Sequence, residues 1–271
     1  MTGPSLFRPS PALADHIDFF GYWGRDDGVT HRSRALPRGA VTVIIDLSPR
    51  QRVDFYAADG TTRLDVPPAF VAGAGKVSYV TQIDPAQTVM TIHFRPGGAL
   101  PFLVTPLAEL ENSCVGLTEI WGRSGTALHE RLIAAPSATA RISALEGFLL
   151  SRIRPCNPEV RTVLDGAERA PSMRVRDACE LTGLSPKRLI ALFRSEVGLT
   201  PKAYLRVRRF QAALQRLDSG TTHGAAIAAD LGYFDQAHLV REFRSFTGLT
   251  PTHYTQRRMW LPSHVGLSPT R

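Results

Sequence analysis

The stretch LIALFRSEVGLTPKAY, Leu189 to Tyr204, returns fifty residues later as LVREFRSFTGLTPTHY, Leu239 to Tyr254. Leu189, Phe193, Arg194, Ser195, Gly198, Leu199, Thr200, Pro201 and Tyr204 recur as Leu239, Phe243, Arg244, Ser245, Gly248, Leu249, Thr250, Pro251 and Tyr254, and Arg208 recurs as Arg258. Repetition at a fixed period is the mark of one structural unit used twice. Ser185-Pro186 supplies a hydroxyl for the orphan N–H groups of a helix start and a proline whose φ already suits the first turn. Leu189, Leu192, Phe193 and Val197 then recur at helical spacing as an inward face. Gly198 can take the left-handed conformation that stops a helix, and Thr200-Pro201 starts the next. In the second copy Asp235 is the N-cap, Leu239, Phe243 and Phe246 the inner face, Gly248 the stop and Thr250-Pro251 the restart. Upstream of each copy a short amphipathic helix ends at glycine: VRDACELTG, Val175 to Gly183, and AAIAADLG, Ala225 to Gly232. The pattern is helix, tight turn, helix, twice over.

The outward faces follow from the inner ones. At about 100° per residue, the positions opposite the apolar stripe are Lys187, Ala191 and Arg194 in the first copy, and Ala237, Arg241 and Arg244 in the second. Small residues permit close approach to base edges, and arginine can bind guanine bidentately. Lys187, Arg188, Gln236 and His238 lie near the helix starts, where recognition helices meet bases and phosphates. Taken singly, each also reads as a solvated surface residue; it is the joint arrangement that points to DNA. Between the copies, Pro201 to Leu217 reads as one helix of about 25 Å at 1.5 Å per residue. Tyr204, Leu205, Val207, Phe210, Leu214 and Leu217 are its expected core contacts, and Arg206, Arg208 and Arg209 its expected phosphate contacts.

The charge is unevenly placed. The 271 residues carry a net +8, yet residues 1–159 hold 15 basic and 15 acidic residues, whereas residues 160–260 hold 16 and 9. A basic segment beside a neutral one suggests that only the C-terminal part meets a polyanion. No run approaches the ~18 apolar residues of a membrane helix, and MTGPSLFRPSPALADH does not read as a secretory leader. Cys114, Cys156 and Cys179 form no CxxC pair, which argues against a disulfide framework or a zinc site and for a cytoplasmic protein with inert thiols.

The strings GLSPKRLIALFRSEVGLTPKAYLRVRR and LGYFDQAHLVREFRSFTGLTPTHY resemble the AraC/XylS family of bacterial transcriptional regulators. The likeness spans about 100 residues, Asn157 to Arg258, and includes Gly232-Tyr233, Gln236, Leu239, Phe243, Gly248, Thr250-Pro251 and Tyr254. It implies seven helices, with two helix-turn-helix units joined by a long helix. It also implies DNA-facing residues at Lys187, Ile190 and Ala191 in the first recognition helix and at Ala237, His238 and Arg241 in the second. Helical projection places Ile190 nearer the flank, where a packing role fits equally well. The apolar pair Ile190/Ala191 can touch a thymine methyl but offers no hydrogen bond, which leaves Lys187 to carry direct readout by that helix.

Residues 17 to 94 carry β signals: IDFFGYWGR, VTVIIDL, RVDFYA, TTRLDV, AFVAGA, SYVTQI and VMTIHF, separated by turn residues. Six or seven short strands suggest a sandwich or small barrel. Helical patterns follow in PLAELEN, SGTALHERLIAA and ATARISALEGFLLSRI, the last with an apolar stripe of Leu145, Phe148, Leu149 and Ile153 expected to be buried within the chain. HFRPGGALPFL, His93 to Leu103, with LTEIWG, Leu117 to Gly122, resembles an N-terminal domain often attached to AraC-type regulators. His16, His31, His93 and His129 are dispersed, unlike the clustered ligands of a metal cupin. Phe19, Tyr22, Trp23 and Trp121 fit core packing better than a pocket lining. No catalytic constellation, metal site or cofactor site is readable.

The expected fold is a two-domain α+β chain. A β-rich, cupin-like sensor domain with trailing helices (1–153) is followed by a linker (154–158), an all-α domain with two helix-turn-helix units (159–260) and a flexible tail (261–271). The expected function is non-enzymatic: a sequence-specific DNA-binding transcriptional regulator, activator or repressor, with recognition helices at about 186–197 and 235–246. Double-stranded DNA is its partner. RNA polymerase, a small-molecule effector and a second copy of the chain are the further partners the resemblance allows. A DNA-repair enzyme with an alkyl-transfer domain would need metal-binding or active-site cysteine motifs that the chain lacks. An architectural DNA binder remains the rival reading.

Overall fold

The computed structural model describes residues 5–24, 30–48, 53–85, 87–103, 105–154, 157–221, 223–259 and 261–267. Cys156, Pro155 of the expected linker, Arg25 and Arg52 at the ends of two expected strands, and Arg271 lie outside them. The N-terminal half begins with β1 (Ser5–Phe7), β2 (Ile17–Trp23), β3 (His31–Ala35), β4 (Thr42–Asp46) and β5 (Asp54–Tyr56). It continues with β6 (Arg63–Leu64), β7 (Ala69–Ala72), β8 (Tyr79–Ile83), β9 (Val89–Phe94) and β10 (Cys114–Gly116). Three helices follow: α1 (Leu117–Trp121), α2 (Arg123–Ala134) and α3 (Ala138–Leu150).

The strands form two antiparallel sheets. One has the order β1-β2-β9-β4-β7-β10; the other contains β3-β8-β5-β6 and a fifth strand from the C-terminus. The runs TVIID and VMTIHF are buried at every position because the first sheet is covered on both faces. Val43 and Ile45 pack with Leu128, Leu145 and Leu149 of the helices, while Ile44 packs with Phe55 and Ile83 of the second sheet. A strand covered on both faces reads as a continuous apolar run rather than an alternation. Leu145, Phe148 and Leu149 are buried as expected, but Ile153 is not: it lies beyond the end of α3, 40% exposed.

Strand β3, HRSRA, is one the composition hides, since it has no β-branched or aromatic residue. Its outward arginines bind turn carbonyls, Arg32 that of Gly60 and Arg34 that of Ala58 at 2.6 Å. His31, Ser33 and Ala35 face the space between the sheets.

The C-terminal half has seven helices: α4 (Pro158–Arg169), α5 (Val175–Thr182), α6 (Pro186–Glu196), α7 (Pro201–Asp218), α8 (Gly224–Asp230), α9 (Gln236–Thr247) and α10 (Pro251–Arg257). It has two cores, and α7 belongs to both. Tyr204 and Leu205 pack with Leu189, Phe193 and Val163, whereas Val207, Phe210, Leu214 and Leu217 pack with Leu239, Phe243 and Phe246.

The expected flexible tail needs correction. Residues His264–Gly266 form β11, antiparallel to β3 in the second sheet, with His264 opposite Ala35 and Gly266 opposite Ser33. Backbone hydrogen bonds extend the pairing, Leu36 N to Ser263 O and Leu267 N to Arg32 O, both 2.9 Å. An edge strand with unpaired N–H and C=O groups is a ready template for such addition. The C-terminal half is therefore stitched to the N-terminal half at several points. Gln211 on α7 donates to Pro37 O at 2.6 Å, and Arg161 on α4 pairs with Asp15 at 3.3 Å. Gly198 (φ +84°) sits so close to the Leu107 carbonyl that a Cβ there would lie 2.9 Å from the oxygen.

Candidate nucleic-acid interface

Each unit is built from the local signals the repeat carries. Gly183 (φ +69°) ends α5, and the Ser185 side chain accepts from Arg188 N to start α6. Gly232 (φ +71°) precedes α9, whose first turn is capped by Asp235 Oδ1 accepting from His238 N at 2.6 Å. Leu189, Leu192, Phe193 and Val197, and in the second unit Leu239, Phe243 and Phe246, are buried. With the inner faces so placed, Lys187, Arg188, Ile190, Ala191 and Arg194 are exposed on α6, and Gln236, Ala237, Arg241 and Arg244 on α9. Ile190 is 41% exposed, so the flank position is open rather than packed. Among the described residues no salt bridge engages Lys187, Arg194, Arg241 or Arg244 (salt bridges involve other pairs).

His238 is held rather than free. Its Nδ1 accepts from Phe234 N at 3.3 Å, and its Nε2 lies 3.9 Å from Glu242. It therefore shapes the turn into α9. Phe234 itself, in that turn, is 92% exposed, an unusual place for a phenylalanine. An apolar residue just before an N-cap commonly packs on the fourth residue of the helix that follows, here Leu239, and Phe234 does not.

The three expected phosphate contacts need correction. Arg208 is buried and pairs with Glu168 at 2.7 Å. Arg206 and Arg209 both bind Glu242, at 2.9 and 3.5 Å, and Glu242 is itself buried on α9. These arginines face neighbouring helices because α7 is enclosed on most of its circumference, and a buried carboxylate requires compensating charge. Arg209 also lies over the Tyr233 ring, 4.7 Å from its centre. They tie α7 to α4 and α9, with Arg208 and Arg209 largely covered and Arg206 partly open to solvent. Arg206 and Arg209 also line a groove between the units together with Met173, Arg174, Lys202 and His238. Arg174 precedes α5, where Asp177 accepts from its backbone N–H at 2.9 Å.

Residues 178–257 match the helix-turn-helix domain family, and this match covers the second helix of the half through the last. The C-terminal half is a DNA-binding domain of the AraC/XylS type. This AraC/XylS-type domain is similar to part of XylDLEGF operon transcriptional activator 3 of Pseudomonas putida, 30% identical over 103 residues, which is 36% of this chain and 31% of that protein. It is also similar to part of the arabinose operon regulatory protein of Salmonella typhimurium, 27% identical over 131 residues, 42% of this chain and 44% of that one. The matches span less than half the length of these curated relatives. Residues 5–116 match a domain of unknown function, DUF6597. Among solved structures, ToxT from Vibrio cholerae aligns over 88% of this chain and 98% of its own, with a TM-score of 0.49 and 9% identity.

Outside the AraC/XylS-type domain, a cavity of ≈ 70 Å³ lies between the two sheets. Trp23 and His93 line it. Phe19 stacks on His93 with ring centres 4.2 Å apart, and Trp121 is a core residue whose Nε1 donates to Phe102 O at 2.8 Å. Tyr22 accepts from Arg141 at 2.7 Å. Of the aromatic residues singled out in the sequence, Trp23 is the one that lines the cavity. His16 and His129 stand elsewhere, His129 with Nε2 2.7 Å from Asp46 O. Among the described residues no group of three or more His, Cys, Asp or Glu side chains is placed to hold a metal ion.

Proposed function

We propose that the chain is a sequence-specific, DNA-binding transcriptional regulator of the bacterial cytoplasm, without enzymatic activity. In this reading α6 and α9 enter successive segments of the major groove on one side of the duplex. The observation that carries it is the pair of capped, matched helices presenting Lys187, Arg194, Arg241 and Arg244 outward with no acidic partner among the described residues. Arginines free of internal ion pairs keep their full charge and donor set for phosphates and guanine edges. Arg241 and Lys187 are the direct readers; Ala191, Ala237 and Ile190 let the backbone approach and meet thymine methyls. Arg188, Gln236 and His238 act at the helix starts. The sensor half would bias promoter occupancy through an effector, and RNA polymerase and a second copy of the chain complete the expected partners.

The test is a binding titration on the operator found by genome-wide profiling. Arg241→Ala is expected to cost about 1–3 kcal/mol and to relax preference at one or two base pairs. Unchanged affinity and unchanged sequence profile would remove Arg241 from the readers. Equal affinity for operator and random DNA would favour the architectural role instead.

A further inference from the structure

The cavity between the sheets has a wall that does not belong to the sensor half. Met259, Leu261 and His264, which follow α10, close it on the side of β3. The strand that completes the second sheet is thus a direct continuation of the second helix-turn-helix unit. Val265 of β11 and Leu36 of the sensor half lie in the same buried cluster as Phe243 and Tyr254. Ser263 Oγ donates to Gln211 Oε1 at 2.9 Å, while Gln211 holds Pro37. Whatever fills the cavity touches both halves.

The polar groups facing it can be assigned donor and acceptor roles from their neighbours. Arg38 Nη1 lies 3.0 Å from His93 Nδ1, and a guanidinium can only donate, so Nδ1 accepts and the ring proton sits on Nε2. That Nε2 is buried and has no hydrogen-bond partner among the described residues, on a residue only 4% exposed. His264 Nδ1 lies 2.9 Å from Pro262 O, and a carbonyl can only accept, so Nδ1 donates and Nε2 keeps a lone pair. The two rings stand 6.5 Å apart at 76°. Thr91 Oγ1, also lining the cavity, is a second buried polar atom without a partner. An unmade buried hydrogen bond costs free energy, so these atoms favour an occupant that completes them.

The occupant's charge follows from what surrounds it. Arg38 already pairs with Asp18, so its charge is met. Burial and the nearby Arg38 hold both histidines neutral, with His93 well below its ordinary value. A cation would face a ring N–H and a guanidinium, and an anion would add an unmet buried charge. The rest of the lining combines apolar Ile44, Val53, Ile83, Val89 and Leu261 with the polar side chains of His31, Ser33, Thr42, Tyr79 and Thr81, and among the described residues it contains no carboxylate. A cavity of ≈ 70 Å³ is about half the ~150 Å³ that takes up benzene, so a single ring is the largest occupant it admits, with the lining moving outward.

We propose that this cavity binds a small uncharged hydroxyl compound of about one ring, a phenol or cyclic alcohol, whose hydroxyl accepts from His93 Nε2 and donates to His264 Nε2. Because His264 rides on β11, the bound compound strengthens the docking of β11 on β3 and so holds the second helix-turn-helix unit against the sensor half. This deepens the proposed sensing role and rests on it.

The experiment uses the full chain with p-cresol and cyclohexanol as probes, and toluene, benzoate and cyclohexylammonium as comparisons. Calorimetric titration is expected to give saturable binding of the two hydroxyl compounds, weaker binding of toluene and none of the two ions. His264→Leu should weaken p-cresol by about tenfold while leaving toluene unchanged or tighter. Hydrogen exchange at the Leu36 and Leu267 amides should slow with p-cresol bound. That measurement needs only the wild-type chain, should the variant not fold. No saturable binding of either hydroxyl compound at millimolar concentration, or benzoate binding tighter than both, overturns the ligand assignment. Binding with no change in exchange at those amides overturns the coupling. DNA affinity measured in parallel separates the two readings. If it shifts with benzoate but not p-cresol, the sensing role stands and the hydroxyl class falls. If p-cresol binds with DNA affinity unmoved, the site stands and the sensing role falls.

Discussion

Arg206 Nε donates to Glu242 Oε2 at 2.9 Å, joining the long helix α7 to the buried flank of the second recognition helix α9. Glu242 also receives Arg209 at 3.5 Å, so one carboxylate orients α9 against two successive turns of α7. Glu242→Ala leaves both guanidiniums without that partner. Arg206 is 41% exposed at its side chain and can be rehydrated, whereas Arg209 is 20% exposed and cannot easily be. The expected loss is about 1–3 kcal/mol of unfolding free energy, below the range for a fully buried pair. Urea denaturation measures it. Glu242→Gln, which keeps an acceptor, should lose less, and a reversed order would discount the charge.

Arg208 separates the structural arginines from the DNA-facing cations. With its side chain 10% exposed and paired to Glu168, Arg208→Ala should lower stability by about 1–3 kcal/mol. The slope of log affinity against log salt should stay as it was. Lys187→Ala should do the opposite, lowering the salt slope by about one with stability nearly unchanged. Paired chemical denaturation and salt titrations on the two variants decide the matter.

Two phenylalanines of α9 and its turn offer a second contrast. Phe243 is fully buried against Phe210 and Tyr254, and Phe243→Ala is expected to cost about 3–5 kcal/mol. Phe234, 92% exposed, contributes no core packing, and Phe234→Ala should change stability by less than about 0.5 kcal/mol. Its position before the recognition helix predicts a loss in DNA affinity all the same. Thermal melts and gel-shift titrations read the two effects separately.

Acidification should undock β11. Burial, foremost, and the nearby Arg38 hold the His264 pKa down to about 4, against the hydrogen bond to Pro262 O, and the neutral His93 ring faces it from β9. The unfolded chain binds a proton on this residue below about 6.5, while the folded chain does not until about 4. Stability from this group is therefore complete above pH 6.5, falls as the pH drops towards 4, and levels off beneath. The total is up to about 3 kcal/mol. Unfolding followed across that window should show the slope, and His264→Phe should flatten it. Equal slopes in the two proteins would assign the effect to other groups.

Much of the DNA-binding half is legible in the linear chain. Ser185, Thr200, Asp235 and Thr250 are caps; Gly198 and Gly248 are left-handed stops at φ +84° and +73°; and Leu189, Phe193, Leu239 and Phe243 are buried. Capping, left-handed glycine and helical periodicity act within a few residues, so the information needed to read them is adjacent in sequence. The outward set from Lys187 to Arg244 follows from the same geometry. The sheet strands with strong apolar runs, such as VMTIHF, were legible for a similar reason.

What the linear chain leaves open are relationships between distant residues. A row of arginines on α7 looks the same whether it faces phosphates or carboxylates, and only the packing of α4 and α9 against α7 brings Arg206, Arg208 and Arg209 onto Glu168 and Glu242. HRSRA has no strand propensity to announce itself; pairing with Tyr79–Ile83 makes it a strand, and its exposed edge then recruits His264–Gly266 from a segment that reads as a loose tail. Short-range physics writes the two units into the sequence. Their fastening to the N-terminal half depends on hydrogen bonds between residues from 146 to 235 positions apart, which exist only once the chain has folded.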